Sequence, residues 1–580
     1  MAHSNGADLT FEQNWMDLPA DEPARGLMPF SASQGAQGSD CERYKGCGKG
    51  HWEDTKKMLS RLAVRMSRGE LDGVGADIPN SSIPAGFTYF AQMVAHDIVA
   101  TDSPFPAGQN AVDGVRNYRR YPLTLECLYG AGPDLTPLPY ETREGAGRTR
   151  ARRRLRTGMV REAGDYVPNG PLRDIPRVAC PYMSGAMVGR NHAPEQKSPT
   201  DDLLADSRNG DNLVLSQLTA LFHHFHNRIL EDVDRLRPRG DSEAEEICER
   251  RNFETARAIV IRTYRDIVRR DLLEKLLDIH VYRRYLGYSK LEQFSHRFHR
   301  WPAEAATPRD FAVPMEFSHA AFRFGHAMVH HIYDLNASRE GEKAAITSDI
   351  VRFTSLRNPE AMPLSRDWTI DAWYRFFKGK GNGISTNPSR MITPRVADGL
   401  VSQAHFAAAD GKRGGLLYRD LVRGAAVGVR TVASLLTEFK LATANDYPLA
   451  NPSTRCRALK EWLEIAKPHH YPYGAEPLNE DDVKELSKDP PLLFFILFEA
   501  KCLGRANGPA TAIGDGDGAR LGPLGSMIIA EVVFAALIQT AWADNAKSED
   551  AKLERRLFNG ARPQTMGALI DWLNVGQDWV

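Results

Sequence analysis

A mainly α-helical fold with long irregular connections is what this 580-residue chain predicts. Three features carry that expectation. From about Ile83 onward, apolar residues recur in segment after segment at the spacing of a buried helix face. The period-two alternation of a half-buried strand is scarce. No repeat of roughly 20 to 50 residues marks a solenoid or propeller.

Taken in order, residues 1–50 are rich in Gly, Ser, Asp and Pro without sustained periodicity, which predicts an irregular N-terminal arm. Helices are predicted over 87–100, 213–236, 252–277, 318–333 and 416–437, with long connections such as 104–122 and 336–371. The most apolar stretch, 526–543, holds Glu531 and Gln539 and reads as a buried core helix, so no membrane span is expected. The run RTRARRRLR at 148–156 reads as a solvated loop or helix face rather than a docking patch. GDGDG at 514–518 reads as a flexible turn, since it lacks the further carboxylates of a calcium loop and the Lys-Ser/Thr of a phosphate cradle. Residues 51–580 are expected to form one large domain.

Composition excludes some partners. Lys plus Arg and Asp plus Glu both total 74, so no global field recruits nucleic acid or an anionic membrane. Seven scattered cysteines form no metal or disulfide pattern and are expected as buried thiols. The N-terminus has no basic start followed by an apolar run; cytoplasm is the expected location, with non-classical export left open.

Three segments could carry chemistry. In FTYFAQMVAHDIV, Gln92 and His96 lie one turn apart on an apolar helix face. Read alone, a satisfied core histidine is the commoner outcome of such a pattern. In EFSHAAFRFGHAMVHHIYDL, Arg323 precedes His326 by three residues, and Gly325 would allow a flat ligand close approach; core packing is the alternative for His326, and His330 and His331 read as structural. In ADSRNGDNLVLSQLTALFHHFHNRIL, a polar turn from Asp206 to Asp211 leads into an amphipathic helix. Its His223, His224 and His226 are one and two apart, do not converge on one face and read as structural.

Together these segments resemble the signature set of the animal-type haem peroxidases, the peroxidase-cyclooxygenase superfamily, in its bacterial form. FAQMVAHD resembles the distal motif, ADSRNGDN with HNRIL the catalytic-arginine segment, and AAFRFGH the proximal motif, in the family's order. LTLECLYGAGP, RDLVRG, PPLLFFILFEAKCLGRANG and RLGPLGSMIIAEVV extend the likeness over roughly 83–533. The resemblance implies a single helical peroxidase domain around haem b. His96 is then the distal acid-base residue, Gln92 its neighbour, Arg208 the distal arginine and His326 the proximal axial ligand of the haem iron. Arg323 and Arg423 would face the haem propionates, and Asp420 would accept from His326 where the family usually has asparagine, lowering the iron potential.

The activity so implied is reduction of hydrogen peroxide through a ferryl intermediate and oxidation of a small organic donor or, less in keeping with Asp420, a halide, in a setting of oxidative stress. An imidazole with a pKa of about 6.5 can take a proton from one peroxide oxygen and return it to the other, beside a permanent cation. Covalent haem links are not expected: Ala95 and Asp211 stand where relatives carry ester-forming carboxylates, Asp211 is a methylene short, and Asn212 excludes a sulfonium link. Noncovalent haem follows. Asp97 matches a calcium ligand of relatives, but Thr124 and Glu126 supply only part of the oxygen set, so calcium stays open. Two alternatives remain. A haem-dependent fatty-acid dioxygenase would use an oxidisable tyrosine, which relatives carry three residues before the proximal histidine, where this chain has Arg323; Tyr89 or another tyrosine would have to serve instead. A non-catalytic interaction protein of the same fold has no need of His96, Arg208 and His326 together.

Overall fold

The computed structural model describes residues 49–66, 79–100, 117–119, 121–145, 148–162, 165–166, 173–177, 202–295, 298, 313–335, 344–352, 363–371, 373–378, 386–397, 399–400, 415–465, 476–508, 510–540 and 548–573. The chain is mainly helical, as its periodicity predicts, and strands among the described residues form only two-stranded pairs. The predicted arm lies, apart from its last two residues, outside the described residues, as do most of the connection 104–122 and half of 336–371.

The described chain opens with α1, Lys49–Arg65. Strand β1, Asn80–Pro84, leads directly into α2, Gly86–Ile98, which carries Gln92 and His96. Eleven of the thirteen residues of α2 are buried, and only Gln92 and Ala95 are partly open. Gly86 is required where α2 begins, because a Cβ there would stand 2.4 Å from the Phe376 carbonyl oxygen. A hairpin follows: β2, Tyr140–Gly145, pairs antiparallel with β3, Arg148–Leu155. The arginine run is thus a strand, not the predicted loop or helix face. Its fit explains why: the Arg153 guanidinium lies 5.7 Å from the Phe253 ring centre, and Arg154 pairs with Glu231 at 2.6 Å.

Helix α3, Leu213–Leu236, matches its predicted span. It supports that strand with the histidines that read as structural. His223 Nδ1 donates to Arg156 O at 2.6 Å and His226 Nε2 to Arg153 O at 3.0 Å, while His226 Nδ1 accepts from the Tyr129 hydroxyl at 3.0 Å. Burial takes His223 down to about 4 and His226 to about 3, so both rings are neutral hydrogen-bonding groups at ordinary pH. Helix α4, Glu245–Ile267, starts earlier than predicted and passes through a π turn, Val268–Leu272, that packs against α2.

The predicted helix 318–333 is absent. Instead Met315–Ser318 is a single α turn, Ala321–Met328 a 3-10 helix, and Ile332–Asp334 a strand. In a 3-10 helix side chains three apart eclipse, so Arg323 and His326 stand one above the other. Both reach one carboxylate, described below. Later, β4, Pro388–Arg390, pairs with β1 beside the start of α2. The predicted helix 416–437 is two, α5, Gly415–Ala426, and α6, Val432–Glu438, separated around Gly428 at φ +65°.

The two most apolar helices, α7, Leu492–Leu503, and α8, Pro523–Gln539, pack on each other in the centre, hydrophobic all round as fully buried helices are. Glu499 of α7 accepts from Leu524 N at 2.9 Å and Gly525 N at 3.0 Å, satisfying amides that the first turn of α8 leaves unpaired. Tyr447 donates to the same carboxyl at 2.8 Å. The GDGDG turn folds back on the end of α7, and at Gly518, with φ +88°, a Cβ would stand 2.3 Å from Ile392 O. Buried hydrophobic residues form one main cluster running from Trp52 to Leu573. No helix among the described residues is long and apolar enough to cross a membrane. Cys127, Cys248 and Cys502 are buried free thiols, as expected, whereas Cys456 is half-buried; Cys41, Cys47 and Cys180 lie outside the described residues.

Candidate active site

Helix α2 stops at Val99, which turns extended, and so exposes the carbonyls of its last turn. Two arginines meet one of them. Arg119 Nε donates to His96 O at 2.7 Å and Arg208 Nη2 donates to the same oxygen at 3.2 Å, placing cations at the negative end of the helix dipole. Both guanidiniums converge on Asp206, which also caps the 3-10 turn Ser207–Gly210. Arg208 binds it through Nε at 3.0 Å and Nη2 at 2.6 Å, and Arg119 through Nη2. Burial pushes Asp206 up, but the Arg208 hydrogen bonds and the Arg119 charge outweigh it and hold the carboxyl well below the usual range.

His96 is buried, its Nδ1 2.9 Å from Asn209 Oδ1. Burial, with Arg208 adding to it, takes the imidazole down to about 4; Asp206 and Asn209 oppose the fall and Arg119 assists it. At neutral pH the ring is therefore uncharged beside a fixed cation. Gln92, one turn earlier, accepts from Asn212 Nδ2 at 2.9 Å, and Asn212 Oδ1 in turn caps α3 by accepting from Leu215 N at 2.9 Å. The turn 206–212 thus braces both polar side chains of α2.

Helix α2 packs against the 3-10 helix Ala321–Met328. There the Nδ1 of His326 donates to Asp420 Oδ2 at 2.7 Å, and Arg323 Nη1 donates to the other oxygen at 2.5 Å. Asp420 is buried on α5. Burial alone would raise it, but Arg323, His326 and Arg423 keep it below the usual carboxylate range and hence charged. With Nδ1 committed, His326 offers its Nε2 lone pair outward. The His326 side chain is 29% exposed, so the ring is partly open to solvent. Arg423, one turn beyond Asp420, is half-buried. Arg323 donates to Asp420 through Nη1 and, through Nε, to Ser318 O at 3.3 Å.

Asp97 holds the loop behind the first cluster. Its oxygens accept from Leu125 N at 2.9 Å and Cys127 N at 3.3 Å, latching a loop in which Leu123 and Leu125 adopt positive φ. Thr124 Oγ1 donates to Tyr121 O at 2.5 Å. Among the described residues no group of three or more His, Cys, Asp or Glu side chains is placed to hold an ion. Arg119 brings its charge to this region, its Nη1 lying 3.7 Å from Glu126. Asp211 is exposed on the turn. Asp206, Asn209 and Arg119 escaped the sequence reading: the first two sat unnoticed in the motif around Arg208, and Arg119 in a connection without periodicity.

Residues 176–446 match the family model described as animal haem peroxidase. That stretch is an animal haem peroxidase domain. It contains Arg208, His326, Asp420 and Arg423, while His96 precedes it and is tied to it through Asn209. The family implies haem, and a partly exposed histidine whose Nδ1 is held by a buried carboxylate, leaving Nε2 as the ligating nitrogen, fits an iron ligand. Among solved structures, peroxidase A from Dictyostelium discoideum aligns with a TM-score of 0.52 at 15% identity, covering 90% of this chain and 89% of that one. A fatty acid alpha-dioxygenase from Oryza sativa aligns at 0.50 and 10% identity, covering 91% and 79%. Both likenesses show the shared peroxidase-cyclooxygenase fold. No curated protein matches the chain in sequence.

Proposed function

We propose that this protein is a haem peroxidase that reduces hydrogen peroxide at the expense of a small organic donor, in one domain over residues 51–580 holding noncovalent haem b. The observation that carries the reading is that two packed elements each present a histidine: His96, neutral beside Arg208 and Arg119, and His326, hydrogen-bonded to the buried Asp420. Haem, when bound, would supply the iron and the electrons needed to split the O–O bond of peroxide, and His326 would hold that iron through Nε2. His96 would take a proton from one peroxide oxygen at Nε2 and return it to the other, which would leave as water. Arg208 lies beside His96 as the fixed positive charge for the developing negative oxygen. Gln92, partly open on the same face, orients what enters.

A buried carboxylate on His326 favours O–O cleavage over a high potential, which supports an organic donor ahead of a halide. The shared fold also accommodates dioxygenases. Against that reading, the position three before His326 is Arg323, which cannot be oxidised to a radical and is ion-paired to Asp420. The test is a pair of assays on haem-loaded protein: peroxide consumption with an aromatic donor, and oxygen uptake with a long-chain fatty acid. Donor-dependent peroxide consumption without oxygen uptake is expected. Oxygen uptake with fatty acid in the absence of donor would replace this function with the dioxygenase.

A further inference from the structure

We propose that Asn209 is the positioning residue that fixes the tautomer of His96, making Nε2 the free basic nitrogen. The Cys127 carbonyl can only accept, and it lies 3.2 Å from Asn209 Nδ2, so the amide NH2 faces that way. Asn209 Oδ1 therefore faces His96 Nδ1, at 2.9 Å, and an oxygen there can only accept. The single proton of the neutral imidazole is then on Nδ1. Nε2 is left with its lone pair and has no partner among the described residues, the state a proton acceptor requires.

Each link is anchored by the next. Residue Cys127 is held through its N–H by Asp97, whose Oδ1 accepts from it at 3.3 Å, and the Asn209 side chain is buried. Asp97 thereby steadies the residue whose carbonyl orients Asn209, which orients the ring. When Nε2 takes a proton, the Nδ1 hydrogen bond to Asn209 persists and steadies the cation without any rearrangement. This inference rests on the role proposed for His96 but makes a claim about proton position that holds whether or not peroxide is the substrate.

The experiment is long-range proton–nitrogen correlation NMR on full-length protein labelled with 15N-histidine, His96 being assigned by the resonance lost in His96→Gln. The wild type is expected to show protonated Nδ1 and unprotonated Nε2. Asn209→Asp, which keeps the acceptor, retains that pattern; Asn209→Leu, which removes it, gives a tautomer mixture. In parallel, the haem-loaded Asn209→Leu variant reacts with peroxide at least about tenfold more slowly, and Asn209→Asp restores most of the rate. A protonated Nε2 in the wild type, or an unchanged tautomer in Asn209→Leu, overturns the proposal. The expected NMR pattern with no peroxide reaction in any form instead overturns the proposed function and leaves this inference standing.

Discussion

Two residues decide how the site behaves. Asp420 takes a proton bond from His326 on one oxygen and the charge of Arg323 on the other, so its push on the imidazole is already shared. Asp420→Asn removes the negative charge and is expected to raise the iron reduction potential, measured by spectroelectrochemistry; an unchanged potential would show that the carboxylate does not act on the iron. His96 gives a pH signature. Arg208 and Arg119 face it as cations, Asp206 as an anion and Asn209 as a neutral acceptor, and burial with the nearer cation prevails to hold it at about 4. Protonated His96 cannot accept, so the peroxide rate should fall on the acid side with a midpoint near 4. A midpoint near the usual value of about 6.5 would mean that the ring is open to water.

At the scale of elements, legibility followed periodicity. Helix α3 matched its predicted span because a long amphipathic stripe begins at an asparagine cap, and α8 was legible from uniform apolarity. The 3-10 helix bearing His326 was not, because its spacing of three between Arg323 and His326 also satisfies an α-helix, and a carboxylate 94 residues away in sequence is what both side chains share. The arginine strand was missed for a similar reason: its partners, Phe253 and Glu231, lie in distant helices. The residues proposed to carry chemistry, His96, Arg208, His326 and Asp420, could be picked out by motif, whereas Asn209 and Arg119 could not, since they act through contacts rather than through a spacing. One element-level prediction concerns α8. Glu499→Leu leaves the Leu524 and Gly525 amides and the Tyr447 hydroxyl without their acceptor, and is expected to cost about 2 kcal/mol or more of unfolding free energy in urea titration. Glu499→Gln keeps an acceptor and should cost less; equal loss in both would point to packing rather than to the helix amides.

Across the whole molecule, burial of neutral imidazoles sets an acid limit. His96, His223 and His224 sit at about 4, and His226 and His319 at about 3. The unfolded chain takes up protons at these five through about 6.5, where the native protein does not, so stability is lost as pH falls from there toward 4. Glu499 and Glu531, raised to about 7, work the other way between about 7 and 4.5, the native state holding their protons. Two carboxyls do not offset five histidines, and the urea midpoint should drop between pH 6.5 and 4, with a flat midpoint excluding neutral buried rings. The fold's central claim is that α2 and the 3-10 helix set two histidines to opposite tasks on one cofactor. Its most direct test is stopped-flow absorption of the haem-loaded protein mixed with stoichiometric hydrogen peroxide, for the wild type and His96→Ala. A rapid change of the Soret band in the wild type, slowed by at least about a hundredfold in the variant, is the expected result. Equal rates in the two proteins, or no Soret band in either, would contradict the account.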